Sequence, residues 1–463
     1  MIRLFHVYFP TRTLVLSVSE VCLIVLGFLL VGVARSSEEM SLWLGYDNGL
    51  LKVIVVSSVL VLCMYYYDLY DSIVLGNQTE TLARMLQVFG TASIALAGLY
   101  FLFPQARLGN SSFALGLGLA GLSVALSRQV FLVLNRSGHL AERVVILGDG
   151  PLAISLAREI QDRPELGMRV LGFLSQDAHA EANPLEFPRL GNVDDLTGLI
   201  EGRRINRLIV ATELRERDLP IAQLRQLKNY GVMILDGMSY YEKATGKIFL
   251  NSGFLNRVIF SRGAWPPPAW LLYKRAASIA LSSACLILSA PLMAVIAVAV
   301  RADSDGPVLF RQRRVGKDRR IFTLYKFRSM RNDAAAHGIF QPTELNDKRF
   351  TRVGRFLRRT RMDELPQLYN ILRGDMHFIG PRPFAVEEEN DLAERIPHYA
   401  LRWTITPGAT GWAQVQQGYC ATIEDNREKL AHDLFYLQNL SVGLDLLILL
   451  RTTKILVWRR GSR

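Results

Sequence analysis

The sequence predicts a membrane protein of mixed α and α/β class: a helical membrane region, a Rossmann-like α/β domain, then a mainly α region behind a further apolar helix. Three observations carry this reading. Four apolar stretches crowd the first 134 positions. A short β-rich run ends in Gly148-Asp149-Gly150 and leads into a helical pattern. A run of 25 uncharged residues, 276–300, precedes a strongly basic C-terminal segment.

A chain of 463 residues is too long for one compact core, so two or three folded units are expected. The four apolar runs lie at 13–33, 50–67, 82–103 and 111–134. Each approaches the ~20 residues that a membrane helix needs, which sets a transmembrane region over 1–138. Buried soluble helices are the competing account, and four such runs with so few charges argue against it. The first run has no small-residue cleavage site behind it and reads as an anchor that is kept. Arg3 and Arg12 precede the first run, and Arg128, Arg136 and Arg143 close the fourth. Basic flanks belong on the cytoplasmic side, and four crossings return the chain there. The formal charge of +12 suits anionic partners. Membrane segments favour lipid headgroups and phosphates over nucleic acid. Cys22, Cys63, Cys285 and Cys420 form no CxxC and no Cys/His cluster, so neither a disulfide framework nor a zinc site is expected.

In RVVILGDGPLAISLAREI (143–160) a strand leads through Gly-x-Gly-x-x-Ala, ending at Ala153, into a helix. This is the opening of a Rossmann-like unit. Strands at 169–173, 207–211 and 231–235 and a helix near 218–230 continue the alternation, giving an α/β domain over 141–245. The glycines fit either a nucleotide site or a packing module; Pro151 follows the second glycine, and no acid is clearly placed for a ribose. A linker over 246–270 contains Trp265-Pro266-Pro267-Pro268-Ala269-Trp270, stiffened by proline and suited to a membrane interface. The run 275–301 is long enough to be a fifth span. A fifth crossing would export residues 302–463, although nine of the 21 residues from 311 to 331 are basic. Pro291 removes a backbone hydrogen bond and bends a helix. A bent helix could enter and leave one leaflet, its freed carbonyls met by protein, Ser289 or water. On these residues alone the two topologies stand equal.

In RMDELPQLYNILRGDMHFIGPRP (361–383), Leu365, Leu368, Ile371 and Leu372 mark one helical face. Pro366 is tolerated only in a first turn, and Gly374 supplies a stop. Asp363 and Glu364 therefore sit at a helix start, where the dipole favours anions. An N-cap aspartate, worth about 1 kcal/mol, accounts for one of them equally well. The surroundings favour chemistry. Arg352, Arg355, Arg358, Arg359 and Arg361 precede the pair, Arg382 follows it, and Arg352, Arg355 and Arg358 share a face. Carboxylates among cations suit a phosphorylated substrate with a divalent metal: the cations neutralise phosphate oxygens, and the acids hold Mg²⁺ or attack phosphorus.

Residues 269–460 resemble the bacterial sugar transferase family, the monotopic-type phosphoglycosyl transferases that act on polyprenyl phosphate. The matching stretches are GPVLFRQRRVGKDRRIFTLYKFRSM (306–330), the acidic stretch 361–383 and TPGATGWAQV (406–415), in family order. The whole chain is similar to the long exopolysaccharide-initiating members, and DGMSYYEKATGKI (236–248) resembles the PEP-CTERM/exosortase-associated subgroup. The resemblance implies a four-helix transmembrane region, a Rossmann-like domain, and a mainly α catalytic domain over 271–463. It makes 275–301 a re-entrant membrane helix broken at Ser289 and Pro291. Family members often carry Ser-Pro at that break, whereas Ala290 precedes Pro291 here.

The implied reaction moves a sugar-1-phosphate from a UDP-sugar to undecaprenyl phosphate and releases UMP, with Mg²⁺, as the first membrane step of exopolysaccharide biosynthesis. Asp363 is then the nucleophile that forms a phosphosugar ester, and Glu364 holds the metal with it or manages charge. Arg358, Arg382, Lys326 and Arg328 are implied to bind substrate phosphate. Thr406 stands where some members have arginine. The implied location is the bacterial inner membrane, with soluble domains in the cytoplasm. Membrane lipids and downstream glycosyltransferases are expected partners, and a homodimer is left open.

Other candidates are weaker. Asp303-Ser304-Asp305 matches the DxD of metal-dependent glycosyltransferases, but such triplets are common. His377 and His432 read as structural, and Trp403 and Trp412 as packing residues. The segment 441–460 fits an interfacial or a buried helix. A membrane-anchored nucleotide-sugar dehydratase or epimerase needs Tyr-x-x-x-Lys, yet Ala244 and Thr245 follow Tyr240 and Tyr241 at that spacing. A non-catalytic ligand-sensing scaffold leaves the Asp-Glu and arginine pattern unexplained.

Overall fold

The computed structural model describes residues 2–4, 7–35, 48–71, 74, 78–136, 141–175, 187–192, 205–211, 220–250, 268–331, 349–418 and 422–458. Apart from the first few residues, two compact units divide the chain between Tyr240 and Tyr241.

The first unit opens with four helices: α1 (Thr11–Arg35), α2 (Gly49–Tyr66), α3 (Gln78–Leu102) and α4 (Asn110–Arg136). All four are long and apolar enough to cross a membrane, as is a later helix over 268–303. Their inner seam contains Ile24, Phe28, Val56, Leu60, Val88, Leu96 and Val124. The outward face is apolar as well, with Leu86 77%, Ile94 76% and Phe101 85% exposed. Helices apolar on all sides need a lipid surround, so this is a membrane protein. Arg128, read from sequence only as a flanking charge, is buried. Its Nε and Nη2 meet Glu20 Oε1 and Oε2 at 2.9 and 3.0 Å, and its Nη1 donates to the Leu69 carbonyl at 2.8 Å. An unpaired charge at the middle of a membrane helix costs roughly 3 kcal/mol or more; here each charge cancels the other.

The rest of the unit is a five-stranded parallel sheet of β1 (Glu142–Leu147), β2 (Met168–Ser175), β3 (Arg189–Asn192), β4 (Arg207–Val210) and β5 (Met233–Asp236), in the order β3-β2-β1-β4-β5. Val144 to Leu147 are all buried, the continuous apolar run of a strand covered on both faces. Gly148, at φ 115°, turns the chain from β1 toward α5 (Pro151–Asp162), a conformation that favours glycine. The sequence reading missed β3, a polar four-residue edge. The helix expected near 218–230 is α6 (Ile221–Asn229), and its first two expected residues lie outside the described residues. The stretch 237–245 forms α7 (Gly237–Thr245). Most of the expected linker, including Trp265, Pro266 and Pro267, also lies outside the described residues.

The second unit is built on α8 (Pro268–Asp303). An antiparallel hairpin of β6 (Leu309–Val315) and β7 (Ile321–Phe327) follows, then α9 (Arg352–Thr360), α10 (Gln367–Arg373), β8 (His377–Ile379) and α11 (Val386–Arg395). β9 (Gly408–Thr410) pairs in parallel with β8 and leads to α12 (Trp412–Gln416), α13 (Ile423–Gln438) and α14 (Val442–Trp458). Both ends of α8 pack within this unit. Near its start, Arg275 donates to the Ile371 and Leu372 carbonyls at 2.7 Å each, and Ser278 Oγ lies 3.0 Å from His377 Nδ1. Near its end, Ile296 and Val300 pack with Phe327 and Leu357. Ile287 and Leu288, between the two contacts, are 74% and 79% exposed. Pro291 lies inside the helix, and Ser289 Oγ donates to the Cys285 carbonyl at 2.6 Å. α14 buries Leu444 and Ile448 and exposes Val442, Leu446 and Leu450.

Replacing Arg128 alone with leucine should destabilise the protein by about 3–5 kcal/mol, because Glu20 is then buried without a partner. Adding Glu20→Leu should restore most of that loss in thermal unfolding of protein held in lipid nanodiscs. A single variant as stable as the double would contradict the pairing.

Candidate active site

Asp363 and Glu364 do not start the helix that follows them. They form a separate 3₁₀ turn, Met362–Glu364, between α9 and α10. Pro366 stands at the N-cap of α10, and no side chain caps that helix. The pair is therefore about one turn upstream of its expected place, and helix capping does not explain it. The chain reverses at Arg361, whose φ of 56° ends α9, and Gly374, at φ 102°, ends α10.

Asn370 fixes this turn against the hairpin. It is fully buried in α10; its Nδ2 donates to the Thr323 carbonyl at 2.7 Å, and its Oδ1 accepts from the Tyr325 amide at 3.1 Å. The next residue along β7 is Lys326, whose Nζ donates to Glu364 Oε1 at 2.9 Å. Arg382 Nη2 reaches the same oxygen at 3.4 Å. About a quarter of the Glu364 side chain stays exposed, while Asp363 is buried. Among the described residues no cation forms an ion pair with Asp363.

Two adjacent acids thus acquire different chemistry. Burial, and then the Glu364 charge, push the Asp363 carboxyl up to about 6 against the pull of Lys326 and Arg358. Burial works to raise Glu364 too, but Lys326, Arg382 and Arg361 outweigh it and hold that carboxyl well below the usual range. Glu364 is a permanent anion that organises cations. Asp363 is a carboxylate of raised basicity, a property shared by catalytic bases and nucleophiles.

Of the other expected residues, Arg358 lies in the last turn of α9 and stacks on Phe350 at 4.7 Å. Arg328 is occupied elsewhere. It is 5% exposed and donates to the Ser304 carbonyl at 2.6 Å, Ser304 Oγ at 2.9 Å and the Asp305 carbonyl at 3.0 Å, closing the end of α8. Asp303 Oδ2 accepts from the Val353 amide at 2.9 Å, so the DxD triplet joins α8 to α9. His377 and His432 are buried, which brings each down to about 4 and leaves them neutral; His432 Nδ1 lies 3.0 Å from the Gly246 carbonyl. Trp412 is buried against Phe435 and donates to the Gly246 carbonyl at 2.7 Å.

Sequence reasoning missed Arg314, Gln367 and Arg402. Arg402 is 3% exposed and lies between Glu389 and Asp433 at 3.2 and 2.9 Å. It also donates to Tyr399 at 2.8 Å and to the Arg382 carbonyl at 3.0 Å, while Trp403 Nε1 donates to Glu389 at 2.6 Å. The network anchors the Arg382 loop, and its members are too far apart in sequence to signal one another. Two small clefts flank Arg382. Arg314, Leu324, Lys326, Gln367 and Met376 line one; Val315, Pro381, Trp403, Ile405 and Pro407 line the other.

A carboxylate pair ringed by cations, in a unit built on a membrane-length apolar helix, defines a membrane enzyme that handles phosphoryl groups. A model of the bacterial sugar transferase family matches residues 269–459, and one described as a CoA-binding domain matches 66–235. A UDP-glucose:undecaprenyl-phosphate glucose-1-phosphate transferase of Xanthomonas campestris pv. campestris is 30% identical over 425 residues, covering 87% of this chain and 86% of that protein. The enzyme of the same description from Escherichia coli K12 is 43% identical over 329 residues, 69% of this chain and 68% of that one. A UDP-N-acetylgalactosamine-undecaprenyl-phosphate N-acetylgalactosaminephosphotransferase of Aeromonas hydrophila is 42% identical over 198 residues; the match covers 43% of this chain and 47%, about half, of that relative. The chain belongs to the bacterial sugar transferase family of phosphoglycosyl transferases.

Arg402→Leu should lower stability by about 3–5 kcal/mol, since it leaves Glu389 and Asp433 buried without their cation. Arg402→Lys should rescue only part, because an ammonium lacks the planar fork that serves both acids. Thermal midpoints within a degree of wild type for both variants would refute this role.

Proposed function

We propose that this enzyme transfers a sugar-1-phosphate from a UDP-sugar to undecaprenyl phosphate, initiating exopolysaccharide assembly. The observation that carries the reading is the divided acid pair: a buried carboxyl of raised basicity beside a clamped, permanently ionised one. An Asp363 oxygen attacks the sugar-bearing phosphorus of the donor. The bond from that phosphorus to the UMP oxygen breaks, UMP leaves, and a phosphosugar ester remains on Asp363. An oxygen of the lipid phosphate then attacks the same phosphorus, the bond to Asp363 breaks, and the carboxylate is restored with a lipid diphosphosugar as product. Lys326, Arg382 and Arg358 neutralise phosphate oxygens along this path. Arg328 is left out, because both of its terminal nitrogens are engaged at the end of α8.

Mg²⁺ suits the donor set: two neighbouring carboxylates, with water and substrate oxygens to complete an octahedron. Asp363 and Glu364 would hold it, and when bound it would neutralise charge on the transferring phosphate. The proposed topology has four N-terminal spans and a re-entrant α8, seated in the inner membrane with the soluble parts in the cytoplasm, where the UDP-sugar is. Support for the re-entrant helix comes from both ends of α8 packing within one unit while Ile287 and Leu288, near Pro291, stay exposed. The same reading assigns 1–138, 141–245 and 271–463 to membrane, Rossmann-like and catalytic domains.

Asp363→Asn should abolish UMP release across a panel of UDP-glucose, UDP-galactose and UDP-N-acetylgalactosamine with undecaprenyl phosphate and Mg²⁺; near-normal turnover would remove Asp363 as nucleophile. The raised carboxyl also predicts a pH profile. Burial disfavours the ionised form, so the reactive carboxylate is lost as pH falls through about 6 rather than near 4. kcat/KM should fall about tenfold per pH unit below that point and level off above it. Glu364→Gln removes the neighbouring negative charge and should move the acid limb to lower pH. A profile flat from pH 5 to 8 would contradict the assignment.

A further inference from the structure

The cleft beside the acid pair holds a third cation that the chemistry above does not use. Cross-strand pairing sets Arg314 opposite Phe322 and Phe310 opposite Lys326. Residues two apart on a strand share a face, so Arg314 and Lys326 lie on the same side of the hairpin. Both line the cleft with Gln367 and Arg382. Lys326 and Arg382 are engaged by the single carboxylate of Glu364. Arg314 has no ion pair among the described residues. Its Nη1 donates to the Pro383 carbonyl at 2.9 Å, its Nη2 donates to Gln312 at 2.6 Å, and its Nε has no partner. Glu388 and Glu389 lie near enough to act on it, but Glu389 is bound by Arg402 and Trp403. Burial, and then Arg382, pull the guanidinium down to about 10.

The cleft therefore carries three cations around one carboxylate, and one of them has an orphaned donor. A buried unsatisfied donor and two neighbouring guanidiniums are both unfavourable as they stand. A multiply charged anion with several acceptor oxygens relieves both at once. Gln367, facing the same space, adds a neutral donor.

We propose that Arg314 directly contacts the phosphate groups of the nucleotide donor, sharing them with Lys326 and Arg382; this rests on the donor reading above. The test uses the full chain in nanodiscs, titrated with UDP and with uridine. Arg314→Met should weaken UDP binding at least tenfold and leave uridine binding unchanged, and Arg314→Lys should recover part of the loss. Unchanged UDP affinity in Arg314→Met would overturn the proposal. So would equal weakening of UDP and uridine, which would mark Arg314 as only the anchor of the Pro383 carbonyl. Wild-type protein that binds no UDP and releases no UMP from any UDP-sugar would overturn the donor reading and this proposal together, a result read on the unmutated chain.

Discussion

Glu364 is the constraint on which the rest of the catalytic unit depends. One carboxylate oxygen accepts from Lys326 on β7 and from Arg382 on the loop after β8. Other ties support the same parts: Asn370 pins α10 to β7, Arg314 on β6 donates to the Pro383 carbonyl, and Arg402 holds the Arg382 carbonyl. The charge of Glu364 is thus a structural fixture. Its presence next door also helps keep the Asp363 carboxyl basic. A single clamped anion both gathers the cations and tunes its neighbour, and for this reason two consecutive acids serve better here than one.

Buried charge recurs through the molecule, and at three places a specific partner set makes it tolerable. Glu20 and Arg128 neutralise one another among apolar helices. Arg402 serves two acids and a backbone carbonyl. Arg328 gives its donors to the end of α8, where helical carbonyls lack partners and the dipole is negative. Arg128, Arg402 and Arg328 are therefore positioning groups, and basic composition alone overstates the number available to a substrate.

The boundary between what could and could not be read from sequence is a physical one. The apolar runs, the strand-glycine-helix opening of β1 and α5, and the stop at Gly374 depend on neighbours in the chain, so pattern alone reveals them. The 3₁₀ turn carrying Asp363 and Glu364 was misplaced because Pro366 can start a helix or sit at its cap, and only the left-handed Arg361 decides between them. Strand β3 has too little apolar character to announce itself. Glu20 gives no signal in sequence because its partner lies across the helices, and Asn370 and Arg402 act through residues far along the chain. An arginine beside Lys326 reads from sequence as a second phosphate ligand, and the carbonyl partners of Arg328 at the end of α8 become visible only in the fold. Arg314 was recoverable, since two-residue periodicity in the hairpin already sets it on the Lys326 face.

The central claim is that Asp363 carries the phosphosugar between donor and lipid. Intact-mass spectrometry of enzyme quenched after mixing with UDP-sugar and Mg²⁺, without lipid acceptor, tests it most directly. The account predicts one added sugar phosphate per chain, located by peptide mapping on the Met362–Glu364 turn and discharged when undecaprenyl phosphate is supplied. Turnover in the presence of lipid with no such adduct at any quench time would contradict it and point to direct attack by the lipid phosphate on the donor.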